Sequence, residues 1–279
     1  MRKLILFLLI GICQVAGAQS VKVMSYNIRF DNPGDGENAW PNRIQKVAHI
    51  IQKYDPDLIG IQEALHHQLE DLIRVLPDYT YVGVGRDDGK QLGEYSAILY
   101  KNDRFGLLSK ETRWLSETPE VPGSKSWDAA ITRLVTIARF YDKQLKREFA
   151  LFNTHFDHVG KEARKLSALQ LIELIDGARQ SSQELPVLLT GDFNCDRTEE
   201  PYEALVKDNL LIDTKPANDN TGTYCDFAVG SMECRPIDFI FHTKEWILRN
   251  YKVAQDNDGK HYPSDHLPVV AAFELSMER

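Results

Sequence analysis

Apolar residues follow two different spacings along this chain, and each spacing predicts one type of secondary structure. Where they are continuous or recur at every second position, a strand is expected; where they recur every three to four residues, a helix is expected. The first spacing predicts a strand that leads into Asp192 and strands at residues 21–30, 57–62, 79–84, 96–100, 106–115, 134–141, 148–156, 237–242 and 267–275.

The helical spacing predicts helices at residues 43–54, 66–76, 162–178 and, more briefly, 202–206. On the core side of the third helix the pattern places Leu166, Leu169, Ile172 and Ile175. Successive strands mixed with a few helices favour an α+β domain built from stacked sheets. No Gly/Ser linker, internal repeat or low-complexity tract divides the chain, so we expect a single domain over residues 19–279.

The first 18 residues have the pattern of a secretory signal peptide. A basic start at Arg2 and Lys3 precedes the apolar segment 4–12, and Ala16-Gly17-Ala18 has the small-x-small form of a cleavage site. A membrane-spanning helix would need about 20 apolar residues, and no other segment is long enough, so stable membrane insertion is not expected. The sequence therefore predicts cleavage near Ala18 and a secreted or periplasmic protein.

Charge and cysteine content narrow the partners. The formal net charge is −8, and losing Arg2 and Lys3 with the signal would make it −10. Lys and Arg supply most contacts to phosphate backbones, so this negative charge makes nucleic acid a less favoured partner. A local site can still have a charge that differs from the net charge. Three cysteines remain after cleavage, so one thiol is left over if a disulfide forms. The pairs 225–234 and 195–234 both fit.

Polar residues recur where the predicted strands end. In "LLTGDFNCD" Asp192 and Asn194 lie two residues apart and share one face of a strand. The same pattern occurs in "VMSYNIRF" (Asn27), "LIGIQEA" (Glu63), "ALFNTHFDH" (Asn153, His155, Asp157), "PIDFIF" (Asp238) and "YPSDHLPVV" (Asp265, His266). Each alone has a structural explanation, such as a satisfied backbone partner or a loop cap. If the ends converge, oxygen ligands and imidazoles without a thiolate cluster suit Mg²⁺ or Mn²⁺ rather than structural zinc.

The ordered set "MSYNIR", "IQE", "GEYSAILY", "NTHFDH", "GDFN", "IDFIF" and "SDHLPV" resembles the endonuclease/exonuclease/phosphatase superfamily, the DNase-like metal-dependent phosphoesterases, in a secreted bacterial form. The resemblance covers residues 21–275. It implies a four-layered α/β/β/α sandwich of two packed mixed sheets, with the site at the strand ends on one edge. It also implies Mg²⁺ (or Mn²⁺) as cofactor.

The resemblance also implies roles for residues of this chain. Glu63 matches the main metal-binding carboxylate, Asp265 resembles a second acidic ligand, and Asn27 matches an amide that holds metal or phosphate. Asp192 matches the carboxylate that orients or deprotonates the attacking water, and Asn194 the amide that holds this water and a phosphate oxygen.

Two histidines complete this catalytic set. His266 resembles the imidazole that faces the scissile phosphate, with Asp238 as its orienting partner. His155 resembles the second histidine of pancreatic-type deoxyribonucleases, with Glu94 as its orienting acid. An acid beside each histidine would fix its tautomer and favour imidazolium, which suits acid–base work near neutral pH.

Two further residues are candidates for substrate contact. Arg133 opens the strand after loop 116–130 and would meet phosphate or form a surface ion pair. Trp127, within that loop, would stack on a base or sugar or else close the core.

The function implied is an exported phosphoesterase that hydrolyses a phosphodiester or phosphomonoester by in-line attack of a carboxylate-oriented water. The substrate stays open between nucleic acid and a small or lipid phosphate ester, and we expect a monomer. The alternative is an inactive secreted binding protein on the same scaffold, which predicts a missing ligand or base; none is missing. A serine hydrolase using Ser264 lacks the G-x-S-x-G elbow and leaves the acids unexplained.

Overall fold

A computed structural model describes residues 20–182, 184–231 and 233–276, and the predicted signal peptide lies outside these residues. The strands are β1 (Val21–Asn27), β2 (Leu58–Ala64), β3 (Tyr79–Val82), β4 (Tyr95–Lys101), β5 (Phe105–Trp114), β6 (Leu134–Asp142), β7 (Arg147–His155), β8 (Val187–Asp192), β9 (Ile212–Asp213), β10 (Asp238–His242), β11 (Trp246–Val253) and β12 (Val269–Leu275). The helices are α1 (Ile44–Tyr54), α2 (His66–Val75), α3 (Lys161–Gln180) and α4 (Glu200–Val206), with 3₁₀ turns at Pro33–Asn38 and Trp40–Asn42.

The strands form two six-stranded mixed sheets that pack face to face. The first has the order β11-β12-β1-β2-β4-β3 and the second β5-β6-β7-β8-β10-β9. An apolar cluster fills the space between the sheets, α1 and α2 cover the outer face of the first, and α3 and α4 cover the second. This is the four-layered α/β/β/α sandwich that the resemblance implied, and the predicted fold class is confirmed.

Parallel pairs place the functional strand ends at one edge. β1 pairs with β2 in the first sheet and β7 with β8 in the second, both in parallel register. The carboxyl ends of all four strands therefore lie together, and they carry Asn27, Glu63, His155 and Asp192. β10 runs antiparallel to β8 with Asp238 opposite Asp192, so its first residue reaches the same edge.

The structure adds elements that the apolar pattern did not predict. β11 is an edge strand in which charged and apolar residues alternate between exposed and buried positions, and β9 has only two residues. In α3, Leu169 is 43% exposed, so its prediction as a core residue is wrong. The buried face is made largely of small residues, Ala163, Ser167 and Ala168, together with Leu171 and Ile175, because the helix lies close against the sheet.

The cysteine alternatives are resolved. Cys225 and Cys234 form a disulfide, and Cys195 is a buried free thiol. Among the described residues there is no helix whose length and apolar character would carry it through a membrane.

Candidate active site

A cavity of about 270 Å³ opens at the edge where the strand ends meet. Its walls contain four carboxylates, three histidines, two arginines and an amide, namely Glu63, Glu94, Asp192, Asp265, His155, His158, His266, Arg29, Arg133 and Asn194. Phe30, Ile131 and Tyr224 complete the lining. A larger groove of about 690 Å³ lies at the opposite end, near Arg147 and Leu275, and contains none of the predicted site residues.

Glu63 owes its direction to a bulge in β2. The register against β4 shifts between Gln62 and Ala64, and Glu63 has a φ of +66°. Bulges re-aim a side chain beside many active sites, and a positive φ in a non-glycine residue stores strain there. Glu63 Oε1 accepts from Asn27 Nδ2 at 3.0 Å, and Oε2 accepts from the backbone N–H of Phe30 at 3.3 Å.

Asn27 joins the two sheets at the cavity. Its Nδ2 also donates to Asp192 Oδ2 at 2.9 Å, and the backbone N–H of Asn194 donates to Asp192 Oδ1 at 3.0 Å. Burial raises the pKa of Asp192 to about 7, with the Asp238 charge adding to the shift and the His266 charge opposing it. Asp192 is therefore held in place and poised to exchange a proton near neutral pH.

The surroundings of His266 favour its protonated form. Its Nδ1 lies 2.8 Å from Asp238 Oδ2 and its Nε2 lies 3.6 Å from Asp192 Oδ2. Burial alone would lower the pKa of His266, but the charges of Asp238 and Asp192 outweigh burial and hold the pKa well above its ordinary value. The predicted Asp238–His266 pair is present, with Nε2 directed toward the cavity.

His155 differs from His266 in charge. Burial, together with the charges of Arg133 and Arg86, holds the pKa of His155 well below its ordinary value. Its Nε2 lies 3.1 Å from Asn194 Nδ2 and 3.3 Å from Asp192 Oδ2. These pKa shifts favour the neutral form of His155 and the imidazolium form of His266, whereas imidazolium was expected at both histidines.

Glu94 has a partner other than the predicted one. Its carboxylate binds Arg86 Nη1, and in the described part of the chain no hydrogen bond joins it to His155. Burial and the Glu63 charge raise the pKa of Glu94, while Arg86 and Arg133 oppose the rise. The structure therefore places Glu94 on the cavity wall as the partner of Arg86.

Arg133 is not part of a surface ion pair, because only 5% of it is exposed. One terminal nitrogen lies 3.3 Å from His158 Nδ1, while Nε lies 3.9 Å from Asp157 and has no hydrogen-bond partner. An arginine buried at a cavity wall with free hydrogen-bonding capacity can bind an anion.

Other predicted residues lie apart from the cavity. Trp127 is partly buried, has a φ of +58° and belongs neither to the cavity lining nor to the described apolar clusters. Asn153 is fully buried between the sheets, where its amide donates to the carbonyls of Ile61 and Ala97, both at 2.8 Å. Asp157 accepts backbone N–H groups of Ile131, Val159 and Gly160. The last two are structural.

Three polar lining residues, Arg29, His158 and Tyr224, were not assigned to the site from the sequence. Arg29 lies within the quoted segment that contains Asn27 and pairs with Asp35 at 3.0 Å, and His158 is the last residue of the segment that contains His155. Tyr224 lies in a loop without apolar periodicity, and its ring packs at 5.0 Å against His266. Arg29 and His158 could have been assigned to the site from their place in the quoted motifs, whereas no sequence signal indicated Tyr224.

The residues fit a divalent cation. Ligand-type atoms of Glu63, Asp192 and His266 lie within 4.8 Å of one another. Because a protonated imidazole has no free lone pair, the carboxylates of Glu63 and Asp192 are the members of this cluster that can bind a cation while His266 is charged. The predicted ligand Asp265 lines the same cavity, with Oδ2 3.8 Å from Arg29 Nε. Burial and the charge of Glu63 raise the pKa of Asp265 to about 6, despite the opposing charge of His266. Crowded, buried carboxylates whose charge is not neutralised are the donor set of a hard cation.

Residues 24–266 match the profile of the Endonuclease/Exonuclease/phosphatase family. The chain belongs to this family. It is therefore an enzyme that hydrolyses phosphate esters, and enzymes of this family generally depend on a divalent metal.

Two solved structures and one curated protein illustrate the range of relatives. A family protein from Bacteroides thetaiotaomicron is 39% identical, with 94% of this chain and 97% of that chain covered and a TM-score of 0.87. A mannosyl-6-phosphatase of the same organism is also 39% identical, with 91% and 99% covered and a TM-score of 0.85. Nocturnin of Drosophila melanogaster is 26% identical, but the match covers 85% of this chain and only 42% of nocturnin.

Proposed function

We propose that this protein is an exported Mg²⁺- or Mn²⁺-dependent phosphomonoesterase that acts as a monomer on a small phosphorylated alcohol, such as a sugar phosphate. Within the family the open question is which ester enters the cavity. The observation that carries the choice is a buried cationic wall, Arg133 beside His158, facing the acidic cluster of Glu63, Asp192 and Asp265.

The two walls suit the two sides of a terminal phosphate. A cation held by the acidic wall would bind phosphate oxygens on one side, and Arg133 would donate to oxygens on the other. A phosphomonoester carries up to two negative charges and three terminal oxygens, whereas a diester carries one charge and two such oxygens. Charge-assisted bonds from a guanidinium are about twice as strong as neutral ones, so the buried arginine favours the monoester.

The size and charge of the molecule support a small substrate. A cavity of about 270 Å³ lies just below the range of roughly 300–1,000 Å³ that is typical of small-molecule sites, which agrees with a compact substrate. A formal net charge of −8 disfavours long polyanions such as nucleic acid. The 39% identity to a mannosyl-6-phosphatase over 91% of this chain is consistent with a sugar phosphate.

The residues of the chain divide the hydrolytic step between them. Asp192 accepts the proton of the attacking water, because its raised pKa of about 7 suits a base near neutral pH. Asn194, fixed by its own contacts to Phe156 and His155, holds that water in line with the scissile bond. A new P–O bond forms from the water oxygen while the bond to the alcohol oxygen breaks.

Two cationic groups stabilise the charge that develops on the phosphate. His266, kept protonated by Asp238, directs Nε2 toward the cavity, and Arg133 donates from the opposite wall. A bound divalent ion would add Lewis-acid stabilisation of the phosphate and leaving oxygens, held by Glu63 with Asp265 and Asn27 nearby. The leaving alkoxide takes the proton of His266 Nε2, and His266 recovers a proton from Asp192, which took one from the attacking water. The products are the free alcohol and inorganic phosphate.

The test compares esters that differ in charge and size, using residues 19–279. Mannose 6-phosphate, glycerol phosphate, p-nitrophenyl phosphate, its bis ester, plasmid DNA, RNA and a phospholipid would each be assayed with Mg²⁺, Mn²⁺ or EDTA. We expect metal-dependent turnover of the monoesters, at least about 100-fold faster in kcat/KM than of the bis ester. Glu63→Ala should abolish turnover, while Glu173→Ala, on the exposed face of α3, should not.

The Arg133→Gln variant tests whether the enzyme prefers monoesters because of Arg133. It should lower kcat/KM for monoesters about 100-fold and for the bis ester about tenfold at most, because it removes the donor to the third oxygen. Preferential cleavage of DNA, RNA or the bis ester would overturn the monoester assignment. Metal binding by calorimetry without turnover of any ester would favour the inactive binding protein instead.

A further inference from the structure

The cavity has one aromatic surface that the catalytic steps do not use. Of its described lining residues, Phe30 and Tyr224 are the aromatic ones apart from the histidines. The Arg29 guanidinium lies 4.6 Å from the Phe30 ring centroid and covers that ring. Tyr224 is partly exposed, its ring packs against the His266 imidazole at 5.0 Å, and no arginine or lysine of the described residues covers it.

The backbone around Tyr224 is fixed to the segment that carries His266. The N–H of Cys225 donates to the carbonyl of Asp265 at 2.7 Å, and the N–H of Leu267 donates to that of Thr223 at 2.6 Å. Tyr224 is thus one residue from each hydrogen bond, and its ring packs against His266. Its position relative to the phosphate-facing imidazole is set by main-chain contacts.

The opposite side of Tyr224 is fixed by a covalent link. Tyr224 exchanges two backbone hydrogen bonds with Arg235, both at 2.9 Å, and the adjacent Cys225 is joined to Cys234. A Cβ on Gly222 would lie 2.3 Å from the Cys234 carbonyl oxygen, so the two chain segments pack too closely for any other residue. The disulfide therefore closes a short loop whose base presents Tyr224 to the cavity.

We propose that Tyr224, held by the Cys225–Cys234 disulfide, packs on the organic part of the substrate and determines which alcohol is accepted. An aromatic ring presents an apolar face to the C–H groups of a sugar or to another ring. The proposal rests on the proposed function for the nature of the ester, but it concerns a different part of the substrate. Arg133 and His266 contact the phosphate, whereas Tyr224 contacts the alcohol.

The polar groups around Tyr224 agree with a ring that leans into the cavity. Burial raises the pKa of the Tyr224 hydroxyl, the charges of Asp265, Asp226 and Glu63 add to the rise, and Arg29 opposes it. Three of these four charged residues, Asp265, Glu63 and Arg29, line the cavity. The Tyr224 ring therefore lies on the same side of the cavity as the acids Asp265 and Glu63.

The test separates binding of the alcohol from binding of the phosphate. KM and kcat would be measured for the ester that wild-type enzyme hydrolyses best and for methyl phosphate, together with the inhibition constant of inorganic phosphate. Tyr224→Ala should raise KM for a sugar or aryl ester about tenfold, the size of one aromatic contact. Methyl phosphate and inorganic phosphate offer little or no organic surface. The KM for methyl phosphate and the inhibition constant of inorganic phosphate should therefore change by less than about twofold.

Matched variants complete the design. Tyr224→Phe keeps the ring and should retain the wild-type KM, and Tyr141→Ala, on the surface near the far end of β6, should leave every constant unchanged. The double variant Cys225→Ser/Cys234→Ser should raise KM in the same direction as Tyr224→Ala, with circular dichroism as the check on folding.

Each of the other outcomes would refute a specific part of the proposal. Equal losses for the large ester, methyl phosphate and inorganic phosphate would place Tyr224 in the phosphate site instead. An unchanged KM for the large ester would remove its role altogether, and an unchanged KM in the double cysteine variant would remove the role of the disulfide. If wild-type enzyme prefers the bis ester, the monoester proposal fails, and the same comparison of variants on that ester still decides the role of Tyr224.

Discussion

Acids at the two ends of the sandwich have opposite surroundings. At the cavity end, Asp192 and Asp265 are buried, and burial raises their pKa to about 7 and about 6. At the far end, burial would also raise the pKa of Glu245, but hydrogen bonds from Arg179 and Thr243 outweigh it and hold the pKa below its ordinary value.

Glu245 is only half-buried, but a comparison with a fully buried acid of the far end shows that the partners also differ. Asp142, fully buried near the far end, accepts two bonds from Arg104 at 2.9 and 3.0 Å. Asp192 has the neutral amide of Asn27 at 2.9 Å and shares His266 with Asp238. A buried charge without a full counter-charge costs free energy of folding. The far end thus stabilises the fold, whereas the cavity end gives up stability in order to bind a cation and phosphate.

The Asp192→Asn variant should show the largest difference between an effect on catalysis and an effect on stability. Asp192→Asn should lower kcat about 10³-fold, because the base that accepts the water proton is lost. In EDTA the same variant should raise the free energy of unfolding by about 1–2 kcal/mol, because a crowded buried charge is removed. Steady-state kinetics and urea denaturation at pH 7.5 would measure both.

Asp142→Asn is the matched control at the other end. It leaves Arg104 with one carboxylate fewer and should cost about 3 kcal/mol of stability, with kcat and KM unchanged. If Asp192→Asn destabilised the protein as much as Asp142→Asn does, the contrast between the two ends would be refuted.

The aromatic packing of the far end provides the second test. Phe149 is fully buried, with ring centroids of Phe140 and Trp246 at 5.7 and 5.4 Å. Phe149→Ala should cost about 3–4 kcal/mol through lost burial and an unfilled cavity, while KM stays unchanged below the melting temperature. Phe149→Leu should cost less than half as much. A shift in KM would show that packing at this end is transmitted to the cavity.

The sequence predicted those parts of the site that lie at the ends of strands. Asn27, Asp192, Asp238 and His266 lie close together, as their place at the ends of apolar segments predicted. Strand periodicity carries this information because it fixes which side chains share a face.

The spacing of apolar residues could not predict features that depend on tertiary contacts. The bulge that aims Glu63 and the pairing of Glu94 with Arg86 depend on contacts between distant segments. Tyr224 lies in a loop whose form is set by a disulfide and by bonds to residues 265–267, none of which leaves a periodic signal. β11 was missed because an edge strand with one exposed face resembles a charged loop in sequence.

The smallest expected effect is the pH dependence of the stability that Glu245 provides at the far end. Glu245 receives two bonds from Arg179, at 2.7 and 2.9 Å, which join the end of α3 to the loop before β11. Its pKa is lower in the folded protein than in the unfolded chain, so its stabilisation is complete above the unfolded value, about 4.3, and is lost as pH falls through the folded value.

Glu245→Gln removes this titration. Its deficit relative to wild type should be about 1 kcal/mol at pH 7 and should shrink toward zero at pH 3, because protonation of wild-type Glu245 removes the same charge. Urea unfolding of both proteins from pH 7 to pH 3 would measure the difference. A deficit that is constant with pH would mean that the Arg179–Glu245 bonds contribute through geometry alone, and the contrast in charge between the two ends would then rest on Asp142 and Arg104.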